Sequence, residues 1–192
     1  MSEYSYHQVD FENPSFLFAL EDVVKYYFGG PLFYNKIVEC YHLRGDENVL
    51  DFGCGGGGAS KVILRHLNSN GHLTCLDISQ YWIAKAQKRL GNNPQVRFYD
   101  QDIRTADIPD ESFDVISVVH VIHDIPPNDR GEVVNALAKK LKHGGKIYLV
   151  EPIKISHGMA VQEIKDLHRA AALKELDFDI NKSRYKVVFQ KD

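Results

Sequence analysis

The pattern of hydrophobic and polar positions is clearest at residues 48–58, where a short apolar run carrying Asp51 leads into a glycine-rich stretch. Behind the glycines, residues 59–67 have apolar side chains at helical spacing. This pattern predicts a strand, a tight turn and a helix. Glycines let the backbone turn sharply and let a ligand approach without meeting a Cβ atom. Because the helix start adds unpaired N–H groups, the stretch is a candidate binding site at the carboxyl end of a strand.

Strands and helices are predicted to alternate along the rest of the chain. The later strands are predicted at residues 72–77, 95–99, 113–119, 146–152, 177–180 and 185–189. The helices between them are predicted at residues 80–90, about 128–142, and 157–176. The run Phe113–Val119 is almost wholly apolar, as expected for a parallel strand covered on both faces. Alternation closed by a hairpin predicts an α/β fold with a doubly wound, mostly parallel sheet.

Composition and charge narrow the class of protein. The chain has 192 residues, 44% of them hydrophobic, which suits one domain with a full core. Its formal net charge of −3, without a long basic run, gives no indication of a nucleic-acid partner. No apolar run approaches the ~20 residues of a membrane span, and the polar N-terminus is unlike a secretion signal. Cys40, Cys54 and Cys75 lie far apart and are expected to be buried thiols in a reducing cytoplasm.

An acidic residue just before the glycines indicates which ligand they bind. The spacing Gly53-x-Gly55-x-x-Gly58 also fits a dinucleotide-binding turn. Asp51, two positions before Gly53, would repel a pyrophosphate and suit a ligand with a cationic amine. S-adenosylmethionine carries such an ammonium, together with a sulfonium and a ribose diol. The string VLDFGCGGG resembles motif I of the class I S-adenosylmethionine-dependent methyltransferases, which implies their Rossmann-like sheet of seven strands, with an antiparallel last strand and helices on both faces.

The resemblance implies contact residues for S-adenosylmethionine and its product S-adenosylhomocysteine. Those at the glycine turn would be Asp51, Gly53, Cys54 and Gly55. Asp77 ends the second predicted strand and would accept the ribose hydroxyls, with Ile78 beside it. An acid about 20 residues beyond the glycines is typical of ribose binding. Asp102 and Ile103 would hold the adenine, and Val119 would line the site at the end of the fourth strand.

Two histidines follow the fourth predicted strand. Residues 121–152 are similar to part of the plant-type O-methyltransferases, which carry a His-Asp pair, a helix, a Gly-Gly turn and a strand ending in Glu. The resemblance implies that His123 is a general base beside Asp124, while a pocket-lining or structural role stays open. His120 would contact cofactor or acceptor. The chain departs from those enzymes at Ile125, where they usually carry Trp. Because the histidines lack a clustered third ligand, no metal site is predicted.

The N-terminal part is predicted to form two helices, at residues 14–27 and about 32–43, separated by a break at residues 29–31. Residues 1–45 would then be a helical cap over the cofactor mouth, and residues 46–192 the core, within one globular domain. Four aromatic residues of the cap are candidates to line the site or to pack the helices onto the core. These are Tyr26, Tyr27, Phe28 and Tyr34.

The expected function is methyl transfer from S-adenosylmethionine to a small-molecule acceptor, with a hydroxyl as one candidate nucleophile. The protein would be a cytoplasmic monomer or homodimer without a nucleic-acid or membrane partner. Two alternatives stay open. One is a protein that binds the cofactor as a partner of another protein and does not catalyse, and the other is an NAD-dependent oxidoreductase.

Overall fold

The computed structural model describes residues 12–24, 26–27, 30–153 and 158–192. Seven strands, numbered here along the chain, form one sheet. They are β1 Asn48–Phe52, β2 His72–Leu76, β3 Val96–Tyr99, β4 Phe113–Val119, β5 Leu141–Pro152, β6 Leu173–Ile180 and β7 Arg184–Lys191. The strand order is β3-β2-β1-β4-β5-β7-β6, with β1 to β5 parallel and β7 antiparallel to both neighbours. The predicted doubly wound, mostly parallel sheet with an antiparallel last strand is confirmed.

Six α-helices accompany these strands in the described part of the chain. They are α1 Phe16–Val24, α2 Gly30–Val38, α3 Gly58–His66, α4 Gln80–Leu90, α5 Arg130–Lys140 and α6 Val161–Ala170. Short 3₁₀ turns follow α2 and β4, at Glu39–Tyr41 and Ile122–Asp124. Ser79 caps α4, since its side chain accepts a hydrogen bond from the Trp82 N–H.

The central strands of the sheet are buried on both faces, whereas most side chains of the edge strand β6 are exposed. Successive side chains of a strand point to opposite faces, so Leu50 and its neighbour Val49 pack in separate apolar clusters. Helices α5 and α6 cover the face of Leu50, and α2, α3 and α4 cover that of Val49. Because β1 pairs in parallel with both β2 and β4, the carboxyl ends of these strands lie at one edge of the sheet. No helix in the described ranges is both long and apolar enough to span a membrane.

Several element boundaries differ from the sequence-based expectation, most clearly around α6 and β5. The predicted helix 157–176 is wrong at both ends, because residues 158–160 are not helical, α6 runs from Val161 to Ala170, and β6 begins at Leu173. Ala172, at φ 57°, adopts the left-handed conformation that ends the helix without a glycine to mark it. His157 lies outside the described residues. Strand β5 begins at Leu141, earlier than predicted, through an irregular pairing with β4.

Helix α1 ends at Val24, before the predicted end at residue 27, and α2 begins at Gly30, inside the predicted break at residues 29–31. Gly30 and Pro31 form the first turn of α2 instead of separating the helices, a place that suits proline because its missing N–H has no helical partner there. The helix ends before the 3₁₀ turn, and His42, at φ 50°, reverses the chain toward β1. Phe28 lies outside the described residues.

The cysteine expectation needs one correction. Cys54 and Cys75 are buried as predicted, but Cys40 is exposed. All three are free thiols. A hydrogen bond with Cys75 and burial raise the pKa of the Cys54 thiol, so this thiol stays protonated and unreactive as a nucleophile.

Candidate active site

The glycine turn after β1 is fixed by the end of β2. The Gly53 and Cys54 N–H groups both donate to the Leu76 carbonyl, at 2.8 and 3.1 Å. Gly53 and Gly55 have φ values of 67° and 50°, in the left-handed region that favours glycine. A Cβ atom on Gly53 would come within 2.5 Å of the Val121 side chain, whereas one on Gly55 would meet nothing within 4 Å. Gly53 is therefore required by packing, and the backbone at Gly55 is open to a ligand.

Asp77 joins this turn to the start of α4. Its Oδ2 accepts a hydrogen bond from the Gly55 N–H at 2.9 Å, and its Oδ1 accepts one from the Ser79 N–H at 3.0 Å. Burial raises the pKa of Asp77, and these two N–H groups partly offset the effect. Each carboxylate oxygen has a second lone pair, so Asp77 can still accept two hydroxyl groups.

A cavity of about 900 Å³ opens at the carboxyl edge of the sheet beside this turn. Its volume lies within the roughly 300–1,000 Å³ of small-molecule sites. Its wall includes most of the residues predicted to bind cofactor or acceptor: Gly53, Cys54, Gly55, Asp77, Ile78, Asp102, Ile103, Val119 and His120. The structure thus brings together residues from three strand ends and the loop after β3. Asp51 and His123 do not line this cavity.

Asp51 lies beneath the glycine turn. Its side chain is 2% exposed, and its Oδ2 accepts a hydrogen bond from Ser60 Oγ at 2.5 Å. Burial raises the pKa of Asp51 to about 6, although hydrogen bonds from Ser60 and Ser117 act in the opposite direction. The predicted contact between Asp51 and a ligand ammonium therefore stays a prediction, and the carboxylate has a structural partner of its own.

The predicted adenine region contains an ion pair that sequence reasoning missed. Arg104 Nη2 lies 2.6 Å from Asp102 Oδ2, and the Arg104 N–H donates to Asp102 Oδ1 at 2.8 Å. Arg104 lowers the pKa of Asp102 and also contacts Glu132 at 3.1 Å. Ile103, which lies between Asp102 and Arg104 in the sequence, is 1% exposed and forms part of the cavity wall. The only sequence signal was an arginine two positions after the acid.

His120 extends β4 into the cavity wall in an unusual conformation. Its N–H donates to the Val150 carbonyl at 2.8 Å, and its φ is 59°. A left-handed residue other than glycine costs free energy and is concentrated at functional sites. The centroid of its ring lies 5.8 Å from that of Phe33 on α2.

His123 faces two carboxylates. Its Nδ1 lies 2.7 Å from Glu151 Oε2 and its Nε2 lies 3.4 Å from Asp124 Oδ1. Burial acts to lower the pKa of His123, but the hydrogen bond and charge of Glu151, together with Asp124, raise it overall. Both ring nitrogens of His123 thus face carboxylates of the chain itself. The geometry therefore favours the structural alternative for His123, while its predicted role as a base stays untested.

The N-terminal helices are tied to the glycine turn through one arginine of α4. Arg89 donates to both carboxylate oxygens of Asp22, at 2.7 and 3.3 Å, and to the Gly56 carbonyl at 2.8 Å. Lys85 adds a second ion pair to Asp22 at 2.8 Å. The guanidinium of Arg89 also lies 4.1 Å from the Tyr26 ring centroid. Sequence reasoning missed this set, which we call the Asp22 clasp.

The aromatic candidates of the cap separate in the structure. Tyr26 and Tyr34 line the cavity, and Tyr34 packs against Gly58, where an added Cβ atom would come within 2.7 Å of its ring. Tyr27 is 60% exposed and does not line the cavity. Within the described ranges, no group of three or more metal-ligating side chains is arranged to hold a metal ion.

Sequence comparisons assign this architecture to a family. The profile described as "Methyltransferase domain" matches residues 49–145. Carboxy-S-adenosyl-L-methionine synthase of Shewanella woodyi is 31% identical over 155 residues, which are 77% of this chain and 63% of that protein. The ubiquinone/menaquinone biosynthesis C-methyltransferase UbiE of Methylococcus capsulatus is 24% identical over 134 residues, 68% of this chain and 53% of that protein. The chain thus spans less than two thirds of these relatives' length.

Solved structures share the fold at low sequence identity. The N-methyltransferase NodS of Bradyrhizobium japonicum, in complex with S-adenosylhomocysteine, has a TM-score of 0.70 at 18% identity over 84% of this chain and 86% of its own. Magnesium protoporphyrin IX methyltransferase of Synechocystis, with bound S-adenosylmethionine, has a TM-score of 0.68 at 16% identity over 94% and 86%. The [4+2]-cyclase SpnF has a TM-score of 0.72 at 15% identity over 83% and 80%.

Proposed function

Because this chain belongs to the class I S-adenosylmethionine-dependent methyltransferases, whose cofactor is S-adenosylmethionine, we propose that it transfers the cofactor's methyl group to a small-molecule acceptor. The observation that carries the proposal is one continuous cavity running from Asp77, beside the glycine turn, to His120 at the end of β4. Its volume of about 900 Å³ leaves space for a small acceptor beside the cofactor. A cytoplasmic location and a monomeric or homodimeric state belong to the same proposal.

We assign the cofactor's three parts to the residues that line the cavity. Asp77 would accept the two ribose hydroxyls through its remaining lone pairs, and hydrogen bonds to a charged group contribute about 1.5–3 kcal/mol each. The amino-acid end would lie at the open backbone of Gly55. The adenine would lie against Ile103, with the Asp102–Arg104 pair at its edge.

At the acceptor end, we assign the proton-accepting role to His120. The sulfonium supplies an activated methyl group, so the residues of the chain mainly orient the acceptor, an effect that accounts for roughly 7–11 kcal/mol of barrier lowering in favourable cases. A hydroxyl acceptor also needs a base near neutral pH, for which histidine is well suited. His120 lines the cavity, whereas His123 lies behind it in contact with Glu151.

Residues 1–45 are proposed to cap the cofactor mouth on the core of residues 46–192. The support for this division is the Asp22 clasp, which connects α1 with α4 and with the Gly56 carbonyl. Tyr26 and Tyr34 extend the cavity wall from the cap side. A closed cap would exclude water from the methyl transfer.

The names of the relatives do not agree on one class of acceptor. Their names describe a carboxy-S-adenosyl-L-methionine synthase and a C-methyltransferase, and the fold is also that of a protein described as a cyclase. A hydroxyl acceptor is therefore one candidate among several. A cofactor-binding protein without catalysis is the alternative from the sequence that still competes, and the family membership decides against an NAD-dependent oxidoreductase.

A methyl-transfer screen tests the proposal. The purified protein is incubated with methyl-labelled S-adenosylmethionine and a panel of phenols, amines, carboxylates and thiols, and labelled products are detected by mass spectrometry. Label transfer to an acceptor is expected, with a large loss in His120→Gln and little change in His143→Gln, an exposed histidine at the other edge of the sheet. Micromolar binding of S-adenosylhomocysteine without label transfer to any acceptor would favour the non-catalytic alternative.

A further inference from the structure

Arg184 stands at the carboxyl edge of the sheet, beyond the part of the cavity wall that His120 forms. Strand β7 runs antiparallel to β5, so its first residue, Arg184, pairs with Pro152, the last residue of β5. The adjacent end of β4 carries His120, whose N–H donates to Val150 two positions before Pro152. This register brings the start of β7 beside the part of the cavity wall that His120 forms.

A stack of three side chains connects Arg184 with the cavity. The Arg184 guanidinium carbon lies 5.0 Å from the Phe33 ring centroid, within the distance for a cation–π contact. Phe33 also lies near His120, at 5.8 Å between ring centroids. The guanidinium is thus separated from the cavity-lining histidine by one aromatic ring.

Arg184 differs from Arg89 and Arg104 in its charge partners. Arg89 is paired with Asp22 and Arg104 with Asp102, whereas no carboxylate of the described residues lies within ion-pair distance of Arg184. Its backbone is nevertheless held in place, because the Asn181 side-chain oxygen accepts the Arg184 N–H at 3.0 Å. A half-buried cation on a fixed turn, without a counter-charge in the described chain, is available to a ligand anion.

Carboxylates line the cavity on both sides, with Asp124 and Asp129 in the stretch that follows β4. The cap and β2 side contributes Glu12, Asp22 and Asp77 to the cavity wall, which suits a cofactor carrying a sulfonium and an ammonium. Arg184 does not itself line this cavity, and its guanidinium lies beyond His120, next to the Phe33 ring. A guanidinium matches the planar fork of a carboxylate or phosphate and binds it through two hydrogen bonds.

We propose that Arg184 is a specificity-determining residue that binds an oxyanion, a carboxylate or a phosphate, on the acceptor, while Phe33 contacts the apolar part of the same molecule. This inference rests on the proposed function and names the substrate class of its site. Acceptors that carry such a group are selected over their neutral analogues. Arg184 takes no part in binding the cofactor.

Calorimetric titration tests this assignment without turnover. Protein saturated with S-adenosylhomocysteine is titrated with benzoate, with phenyl phosphate and with neutral benzamide. At least one anion is expected to bind wild-type protein about tenfold more tightly than benzamide, and Arg184→Gln should lose about that factor, as expected for a lost bidentate contact. Whichever of the two anions binds more tightly identifies the oxyanion. Arg184→Lys keeps the positive charge but not the planar, two-donor geometry of the guanidinium. Its anion affinity should lie between those of wild type and Arg184→Gln.

The control is Lys182→Gln, which removes an exposed positive charge from the same turn. This control variant should change anion affinity by less than about twofold, compared with the tenfold expected for one bidentate contact. All three variants should bind S-adenosylhomocysteine as wild type does. Equal affinity for anions and benzamide, no binding of either anion at millimolar concentration, or loss of S-adenosylhomocysteine binding in folded Arg184→Gln would overturn the assignment. The labelled-methyl screen on wild type decides the proposed function separately, since this titration needs no methyl transfer.

Discussion

The Nδ1 atom of His123 lies 2.7 Å from Oε2 of Glu151, a carboxylate that is fully buried at the end of β5. The other Glu151 oxygen accepts the N–H groups of Val121 and Ile122, at 2.9 and 2.7 Å. Glu151 and His123 therefore fix the loop after β4, whose first residue is His120. Through this pair the chain holds a strained histidine in the wall of its cavity.

Replacing His123 should lower the free energy of unfolding. His123→Ala leaves the Glu151 carboxylate buried without its side-chain partner, and breaking a buried ion pair typically costs about 3–5 kcal/mol. The free energy of unfolding from urea titration measures this loss. His123→Ala combined with Glu151→Gln should recover part of it, because the buried charge is then gone. Unchanged stability with abolished methyl transfer would instead identify His123 as the base.

Asp77→Ala is expected to weaken S-adenosylhomocysteine binding about 10- to 100-fold, since it removes charged hydrogen bonds. Asp77→Asn is the matched variant, because its amide can keep only one of the two acceptor contacts with Gly55 and Ser79. Its affinity should lie between that of wild type and that of Asp77→Ala. Calorimetry gives both values, and wild-type affinity in Asp77→Ala would remove this residue from the cofactor site.

The Asp22 clasp should couple the cap to cofactor binding. Arg89→Ala removes the contacts with Asp22 and Gly56 together, so we expect about tenfold weaker S-adenosylhomocysteine binding, the equivalent of one charged hydrogen bond. Faster protease cleavage within residues 12–45 should accompany it. Lys88→Ala, at the exposed position before Arg89, is the control. Cleavage and affinity that match the control would show that the cap closes without the clasp.

The buried carboxyl group of Asp51 should make the folded protein less stable as pH rises. Its pKa is raised to about 6 in the folded protein, so between about pH 4 and 6 the folded state binds more protons than the unfolded state, and stability falls across this window. A shift of about two units corresponds to roughly 3 kcal/mol. Asp51→Asn keeps an oxygen for Ser60 and should raise the free energy of unfolding at pH 7.5 but not at pH 4. A gain of equal size at both pH values would contradict the burial of its charge.

His168 should make the folded protein more stable as pH rises, which is opposite to the effect of Asp51. It is buried and stacked on Phe189 at 4.1 Å, and its Nε2 has no hydrogen-bond partner among the described residues. Burial lowers the pKa of His168 to about 4, so the unfolded state binds more protons and stability rises between about pH 4 and 6.5. His168→Phe should remove this rise, leaving a urea midpoint that falls with pH through Asp51. A steeper rise in the variant would be inconsistent with a neutral His168.

Much of the fold was predictable because it depends on local patterns. The apolar run and glycines of residues 48–58, and the acid at Asp77, are each legible over a few residues and lie where expected. The end of α6 was not legible, because a left-handed Ala172 carries no glycine to mark it. Residues 173–176 fit a helix by composition, and their pairing with β7 makes them a strand.

The details of the site depend on contacts between distant parts of the chain. Asp22 and Arg89 meet although 67 positions separate them, and no local spacing reports such a pair. The direction of His123 is set by the 3₁₀ turn at residues 122–124 and by Glu151. The sequence identified the two histidines as a pair, but only the tertiary contacts distinguish the one in the cavity wall from the one behind it.

A crystal structure of the protein with S-adenosylhomocysteine tests the central claim most directly. The ribose hydroxyls are expected within hydrogen-bond distance of the Asp77 carboxylate, with the amino-acid end at the Gly53–Gly55 turn and the sulfur directed toward His120. A ribose bound away from Asp77, or an amino-acid end outside the glycine turn, would contradict the account of this site.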